Sequence, residues 1–181
     1  GLLASLLDTT PEQLDAMADL QFKGTHHFLQ AFVRVMSEQE PSGGSLIVLS
    51  SATTKALLSN HAAYIASKRA GEAMVECVAN DYGHLGIRAN SVSPALTESP
   101  MTQGAIATPG ILDAFLPRYP MGRINTSDDV AHACLWLCTD HAYVTGQNIQ
   151  PNGGVTLRGN PQAVDIEAAV GAAMAKMQSE S

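Results

Sequence analysis

An apolar run from Leu46 to Leu49 and a second strand-like stretch from Ile87 to Val92 flank a long helical segment, about His61 to Tyr82. That order constrains the chain more than any other feature. Strands joined by a helical crossover pair in parallel, and a parallel sheet is covered by helices on its faces. The unbroken apolar run predicts a strand buried on both faces. The expected class is therefore α/β, one domain over 181 residues.

The remaining elements are consistent with this order. Thr10-Pro11-Glu12-Gln13 has the spacing of a capping box, with Pro11 in the first turn where a missing N–H is harmless. Leu14, Met17, Leu20, Phe28, Phe32 and Val35 then recur at helical spacing to about Gln39, with a break near Gly24. Pro41 to Gly44 reads as a turn, and Gly83 and Gly86 end the central helix. Pro94 to Arg123 is irregular, with one short helix near Ile111 to Leu116. Ser127 is the expected cap of a helix to about Cys138, with Asp128 and Asp129 at its positive end. Gln147 to Gln150 reads as a short strand, Asn152-Gly153-Gly154 as a turn, and Pro161 to Met177 as a terminal helix.

Composition excludes several functions. A net charge of −7 with no basic run argues against nucleic acid as a partner. No apolar stretch reaches the roughly 18 residues of a membrane span, so no membrane association is expected. Gly1 to Leu7 lacks the cationic flank of a signal peptide, and the absence of an initial Met suggests processing or truncation. Cys77, Cys134 and Cys138 are too scattered for a disulfide framework and read as small core residues; this usage fits the cytoplasm. No metal site is expected. Asn125-Thr126-Ser127 is a sequon that reads as a polar turn and cap.

The chemistry centres on Tyr64 and Lys68. Four positions apart on a helix, they share a face. A neighbouring ammonium favours a phenolate and lowers its pKa, which suits a tyrosine for proton transfer. Ser50 and Ser51 end the first strand, thirteen residues before Tyr64 in the case of Ser51. Ligands of open α/β sheets bind beyond the carboxyl ends of strands. A serine, a tyrosine and a lysine there can together hold a carbonyl oxygen and deliver a proton to it.

From about Leu6 to Leu157 the sequence resembles the classical short-chain dehydrogenase/reductase family. Gly44 to Ser51 is similar to the family's strand ending in the catalytic serine, and Ala63 to Ala70 to its Tyr/Lys helix. Ile87 to Pro94 is similar to the strand before the family's Pro-Gly segment. Met121-Gly122-Arg123, Val144-Thr145-Gly146-Gln147 and Asn152-Gly153-Gly154 match C-terminal landmarks in the same order. The resemblance implies a Rossmann-like, doubly wound parallel sheet, and NAD or NADP as cofactor. It makes Tyr64 the general acid/base, Lys68 its pKa-lowering partner on the nicotinamide ribose, and Ser51 the group that polarises the carbonyl. Pro94, Thr97 and Ser99 would meet the nicotinamide, and residues 95–123 would form the substrate loop. Residues 160–181 would form a C-terminal helix and tail.

Four departures accompany the resemblance. Gln21 stands where the family has an Asn in a catalytic proton relay, Ala95 where Gly follows Pro, and Thr97 where Ile or Val is usual. No G-x-G-x-x-G is present, so the fold is expected as a partial sheet without its first βαβ half. The implied reaction is interconversion of a ketone and a secondary alcohol by a homo-oligomer whose helices from Thr10 and His61 pack across subunits. Two rivals are a halohydrin dehalogenase, disfavoured because such enzymes carry Arg where Lys68 stands, and a cofactor-free chain acting only as a subunit or interaction partner. His61, three residues before Tyr64, could touch substrate or merely begin its helix. Leu96, Met101, Ile106, Ile111, Leu112, Phe115 and Leu116 form either a lid over an apolar substrate or a loop packed on its own domain.

Overall fold

A computed structural model describes residues 3–180. Gly1 and Leu2, part of the apolar start, and Ser181, the end of the expected tail, lie outside the described residues. Three parallel strands, β1 (Gly44–Leu49), β2 (Ile87–Val92) and β3 (Asn148–Ile149), lie in the order β1-β2-β3. The register sets Leu46 beside Ala89 and Leu49 beside Val92, so the carboxyl ends of β1 and β2 are level.

The first helix begins as expected. Thr10 accepts from the Gln13 amide at 3.3 Å, and the Gln13 side chain accepts from the Thr10 amide at 3.0 Å. The chain runs as α1 (Pro11–Met17), a π-helical segment (Ala18–Lys23) and α2 (Gly24–Glu38). There is no break at Gly24: the glycine continues the helix, and the irregularity is the wider π turn before it. The helix α3 (Ala62–Tyr82) connects β1 to β2, and Gly86, at φ 77°, makes the left-handed turn into β2.

Side chains alternate across the sheet. Leu46, Ile87 and Ala89 face Leu29 and Val33 of α2 and Val75 and Ala79 of α3, forming one core. The opposite face carries Ser45 and Arg88, which donate to the Leu137 carbonyl at 2.9 and 2.8 Å. That carbonyl belongs to α6 (Ser127–Cys138), so helices cover both faces. The cap of α6 is Thr126, not Ser127: its hydroxyl accepts from the Asp129 amide, and the Asp129 carboxylate accepts from the Thr126 amide. A second core joins Ala52, Phe115, Tyr119 and Val155, with Leu96 and Ile111 against it. It gathers α5 (Ile111–Phe115) and α7 (Val155–Arg158) beside the carboxyl end of the sheet. A four-residue helix, α4 (Gln103–Ile106), precedes them, and α8 (Ala163–Ser179) closes the chain.

Two expectations are overturned, that β1 is buried on both faces and that the cysteines are core residues. The strand β1 is not buried on both faces: only Leu46 is buried, and Leu49 is 52% exposed. It is an edge strand, and its free side lacks cover. Within the helical stripe, Phe28, Phe32 and Val35 of α2 are exposed, because α2 is apolar on two sides and turns Leu29 and Val33 inward. Cys77 and Cys138 are exposed and Cys134 half-buried, so none is a core residue. The sequon asparagine is buried and donates to the Pro151 carbonyl at 2.5 Å, in keeping with a structural turn.

Candidate active site

The level strand ends bring the site together. The Ser50 amide donates to the Val92 carbonyl, and the Ala52 amide to the Pro94 carbonyl, both at 2.8 Å. Ser51 is thereby held between the end of β1 and the segment after β2. Beyond it, a single 3₁₀ turn (Ala52–Thr54) takes Ser51 as its cap. The Thr53 amide and hydroxyl both donate to Ser51 Oγ, at 3.3 and 2.9 Å. Two inbound donors leave the Ser51 proton free to point outward.

Tyr64 lies in the first turn of α3, half-buried, with the Ser51 hydroxyl near enough to its phenol to influence its ionisation. Burial pushes the phenol above its ordinary range, and the Ser51 hydroxyl draws it partly back. The resemblance assigns the lowering of this phenol to Lys68, whereas the influences acting on it here are burial and Ser51. One turn further on, the Lys68 ammonium donates to the Leu49 carbonyl at 2.8 Å and lies 5.7 Å from the centre of the Tyr64 ring. Burial also pushes the Lys68 ammonium down, so the dominant influence on both groups is removal from water. Lys68 retains two N–H donors beyond the one given to Leu49.

The other anticipated residues fall on two sides of this pair. Pro94, Thr97 and Ser99 occupy the segment leaving β2, at the same end of the sheet. Thr97 bridges to Asn125, its hydroxyl donates to the Ala95 carbonyl at 2.9 Å, and Ser99 Oγ lies 3.0 Å from Thr102 Oγ1. Gln21 sits in the π segment, which packs against α3, and its carbonyl accepts from Thr25 Oγ1 at 2.6 Å. The widened turn falls on the residue that departs from the family, and π-turns of this kind recur at functional positions. His61 caps α3, its Nδ1 bonded to the Ser59 carbonyl at 2.7 Å and its ring edge-on to Tyr64. A carbonyl only accepts, so Nδ1 carries the proton. Of the suspected lid residues, Phe115 is buried in the second core while Met101 is exposed.

Thr53 and Glu72 escaped the sequence reading. Ser-x-Thr at a strand end is the spacing of a side-chain-to-backbone turn, which is a usable signal for Thr53. Glu72 had none, since a glutamate on a helix is ordinarily solvated.

The parallel α/β sheet thus gathers a serine, a tyrosine and a lysine at its carboxyl end. Residues 2–156 match a family model described as enoyl-(acyl carrier protein) reductase. Short-chain dehydrogenase RED2 of Pyricularia oryzae is 31% identical over 170 residues, covering 86% of this chain and 61% of that protein. The 2-(R)-hydroxypropyl-CoM dehydrogenase of Xanthobacter autotrophicus is 33% identical, covering 84% of this chain and 61% of that protein. A short-chain type dehydrogenase/reductase from Mycobacterium ulcerans superposes with a TM-score of 0.84 at 26% identity, covering 88% of this chain and 57% of the other. The chain belongs to the short-chain dehydrogenase/reductase family. It spans about 61% of the length of the curated relatives it matches.

Proposed function

We propose that this chain carries the substrate-facing, proton-transferring part of an NAD- or NADP-dependent oxidoreductase that interconverts a ketone and a secondary alcohol. The observation that carries this reading is the Ser51–Tyr64 hydroxyl pair at the strand end, with Lys68 one turn along the same helix. Two relatives point the same way by name: the hydroxypropyl-CoM dehydrogenase above, and a D-erythrulose reductase of Gallus gallus, 30% identical over 155 residues.

In the reducing direction, Tyr64 Oη gives its proton to the carbonyl oxygen as the carbonyl carbon is reduced. Ser51 donates a hydrogen bond to the same oxygen and supports the charge that develops there. A phenol raised by burial is a stable proton donor, and the cationic Lys68 close to its ring limits the cost of the phenolate left behind. Alcohol oxidation runs these steps backwards. A bound nicotinamide supplies or accepts the hydride. The residues present fit its nicotinamide end: Lys68 has spare donors for ribose hydroxyls, and Thr97 and Ser99 offer hydroxyls at the same end of the sheet. They do not fit its pyrophosphate, because no G-x-G-x-x-G pattern occurs in these 181 residues.

A second proposal concerns assembly. Phe28, Phe32 and Val35 expose an apolar face on α2, and a groove of about 760 Å³ between α2 and α3 is lined by Phe22, Leu29, Val33, Met74 and Tyr82. An exposed patch of this kind marks a contact surface, and a second copy of the chain would cover it.

The test of function is nicotinamide absorbance during incubation with ketones and secondary alcohols. It uses this chain fused to a glycine-rich dinucleotide-binding half from a relative. The expected result is substrate-dependent oxidation of NADH or NADPH. Binding of both cofactors without turnover of any such substrate would overturn the reading in favour of a non-catalytic partner chain.

A further inference from the structure

Glu72 lies on α3, one turn beyond Lys68 and two beyond Tyr64, and is 8% exposed. Its oxygen Oε1 accepts four hydrogen bonds: from Ser50 Oγ at 2.5 Å, Thr54 Oγ1 at 2.8 Å, Asn148 Nδ2 at 2.8 Å and Ser93 Oγ at 3.4 Å. A buried acid surrounded by donors needs no special role if it only ties strand ends together.

The identity of the donors says more. Ser50 directly precedes Ser51. Thr54 closes the turn that Ser51 caps, and its hydroxyl also reaches the Ser51 carbonyl at 2.9 Å. Ser93 directly precedes Pro94, whose carbonyl holds the Ala52 amide. Asn148 donates also to Ser91 and Ser93, at 2.9 and 2.8 Å, which draws β3 onto the same point. One oxygen on the helix that bears Tyr64 thus grips the residue before Ser51 and the residue closing its turn. The Ser51 hydroxyl has its own orienting donors from Thr53, but the backbone that carries it is fixed from Glu72.

We propose that Glu72 is a positioning residue. It sets the distance between the Ser50–Thr54 turn and α3, and so holds the Ser51 hydroxyl against the Tyr64 phenol. This rests on reading Ser51 and Tyr64 as the proton-transfer pair. Glu72 touches no reacting atom.

The test is the ¹³Cζ resonance of Tyr64 in the 181-residue chain at neutral pH, which reports the polar surroundings of its hydroxyl. Ser51→Ala gives the position without the serine hydroxyl. Glu72→Ala should move the resonance most of the way to that position. Glu72→Gln keeps an acceptor at Oε1 and should leave the resonance near its original place. Signals from α2 and α6 show that each variant is folded. If Glu72→Ala does not fold, Ser50→Ala serves instead, since it removes one donor and keeps the carboxylate. It should move the resonance part of the way in the same direction. An unmoved resonance in a folded Glu72→Ala or Ser50→Ala, or an equal shift in Glu72→Gln and Glu72→Ala, would overturn the proposal. Absence of turnover in the fused protein would instead overturn the oxidoreductase reading and leave this measurement standing.

Discussion

Tyr119 shows how burial dominates a phenol in this protein. It is 2% exposed, and burial pushes it up to about 12 while the Leu96 amide, donating to its oxygen at 2.9 Å, pulls the other way. An unfolded tyrosine ionises near 10. Between about pH 10 and 12 the unfolded chain therefore binds fewer protons than the folded one, and stability falls as pH rises. The contribution is complete below the unfolded value and is lost through the folded one. Its size is about 2–3 kcal/mol. Tyr119→Phe should cost about 1–2 kcal/mol near neutrality, because the Leu96 amide loses its partner. It should also remove that share of the alkaline loss, as urea unfolding at a series of pH values would show. An alkaline loss identical in both proteins would contradict this. Tyr64, raised for the same reason, acts in the same direction. The residue pattern alone placed Tyr64 and Lys68 on one face. It could not show that the Lys68 ammonium turns to the Leu49 carbonyl, since that carbonyl belongs to a strand nineteen residues away.

Among the elements, the contact between α5 and α8 is the most sharply defined. Gly110 precedes α5 with φ 85°, and a Cβ there would sit 2.5 Å from the Ala169 carbonyl oxygen of α8. Both the left-handed backbone and the closeness of α8 require glycine. Gly110→Ala should destabilise by roughly 1–3 kcal/mol and loosen α8 first. Hydrogen exchange would then show protection lost in Ala163–Ser179 ahead of β2; equal loss in both would contradict this. The Arg118–Asp165 ion pair, at 2.8 Å, joins the same two regions but is partly exposed and contributes little. Local signals made many elements legible. The capping box at Thr10 and the boundaries of α3 and β2 depend on neighbours in sequence. What was not legible depends on distant neighbours. The inner face of α2 could not be chosen because Phe28 and Leu29 are both apolar, and the exposure of β1 follows from its lying at the edge of the sheet. The polar residues of β2 were opaque for the same reason. Asn90 is buried because its side chain holds the Val144 carbonyl and the Gln147 amide, at 2.8 and 3.0 Å, more than fifty residues on.

At the scale of the whole molecule, two surfaces are uncovered among the described residues: the edge of β1 and the apolar face of α2. Unpaired strand edges and apolar patches both promote association. The 181-residue chain by itself should sediment as a dimer or larger, and should bind NADH and NADPH weakly in calorimetry for want of a pyrophosphate cradle. A stable monomer with micromolar affinity for either cofactor would contradict both expectations. The grouping of Ser51, Tyr64 and Lys68 in the candidate site was legible because they lie within eighteen residues on one strand–helix unit. Glu72 was not, because its partners are spread from Ser50 to Asn148 and meet only when three strands align. The most direct test of the central claim is the rate of carbonyl reduction by the fused protein before and after Tyr64→Phe. The ring and its packing remain while the proton donor is lost. Turnover should fall by about 10²–10⁴-fold with cofactor affinity unchanged. A Phe variant that keeps half of the original rate would show that Tyr64 does not transfer the proton.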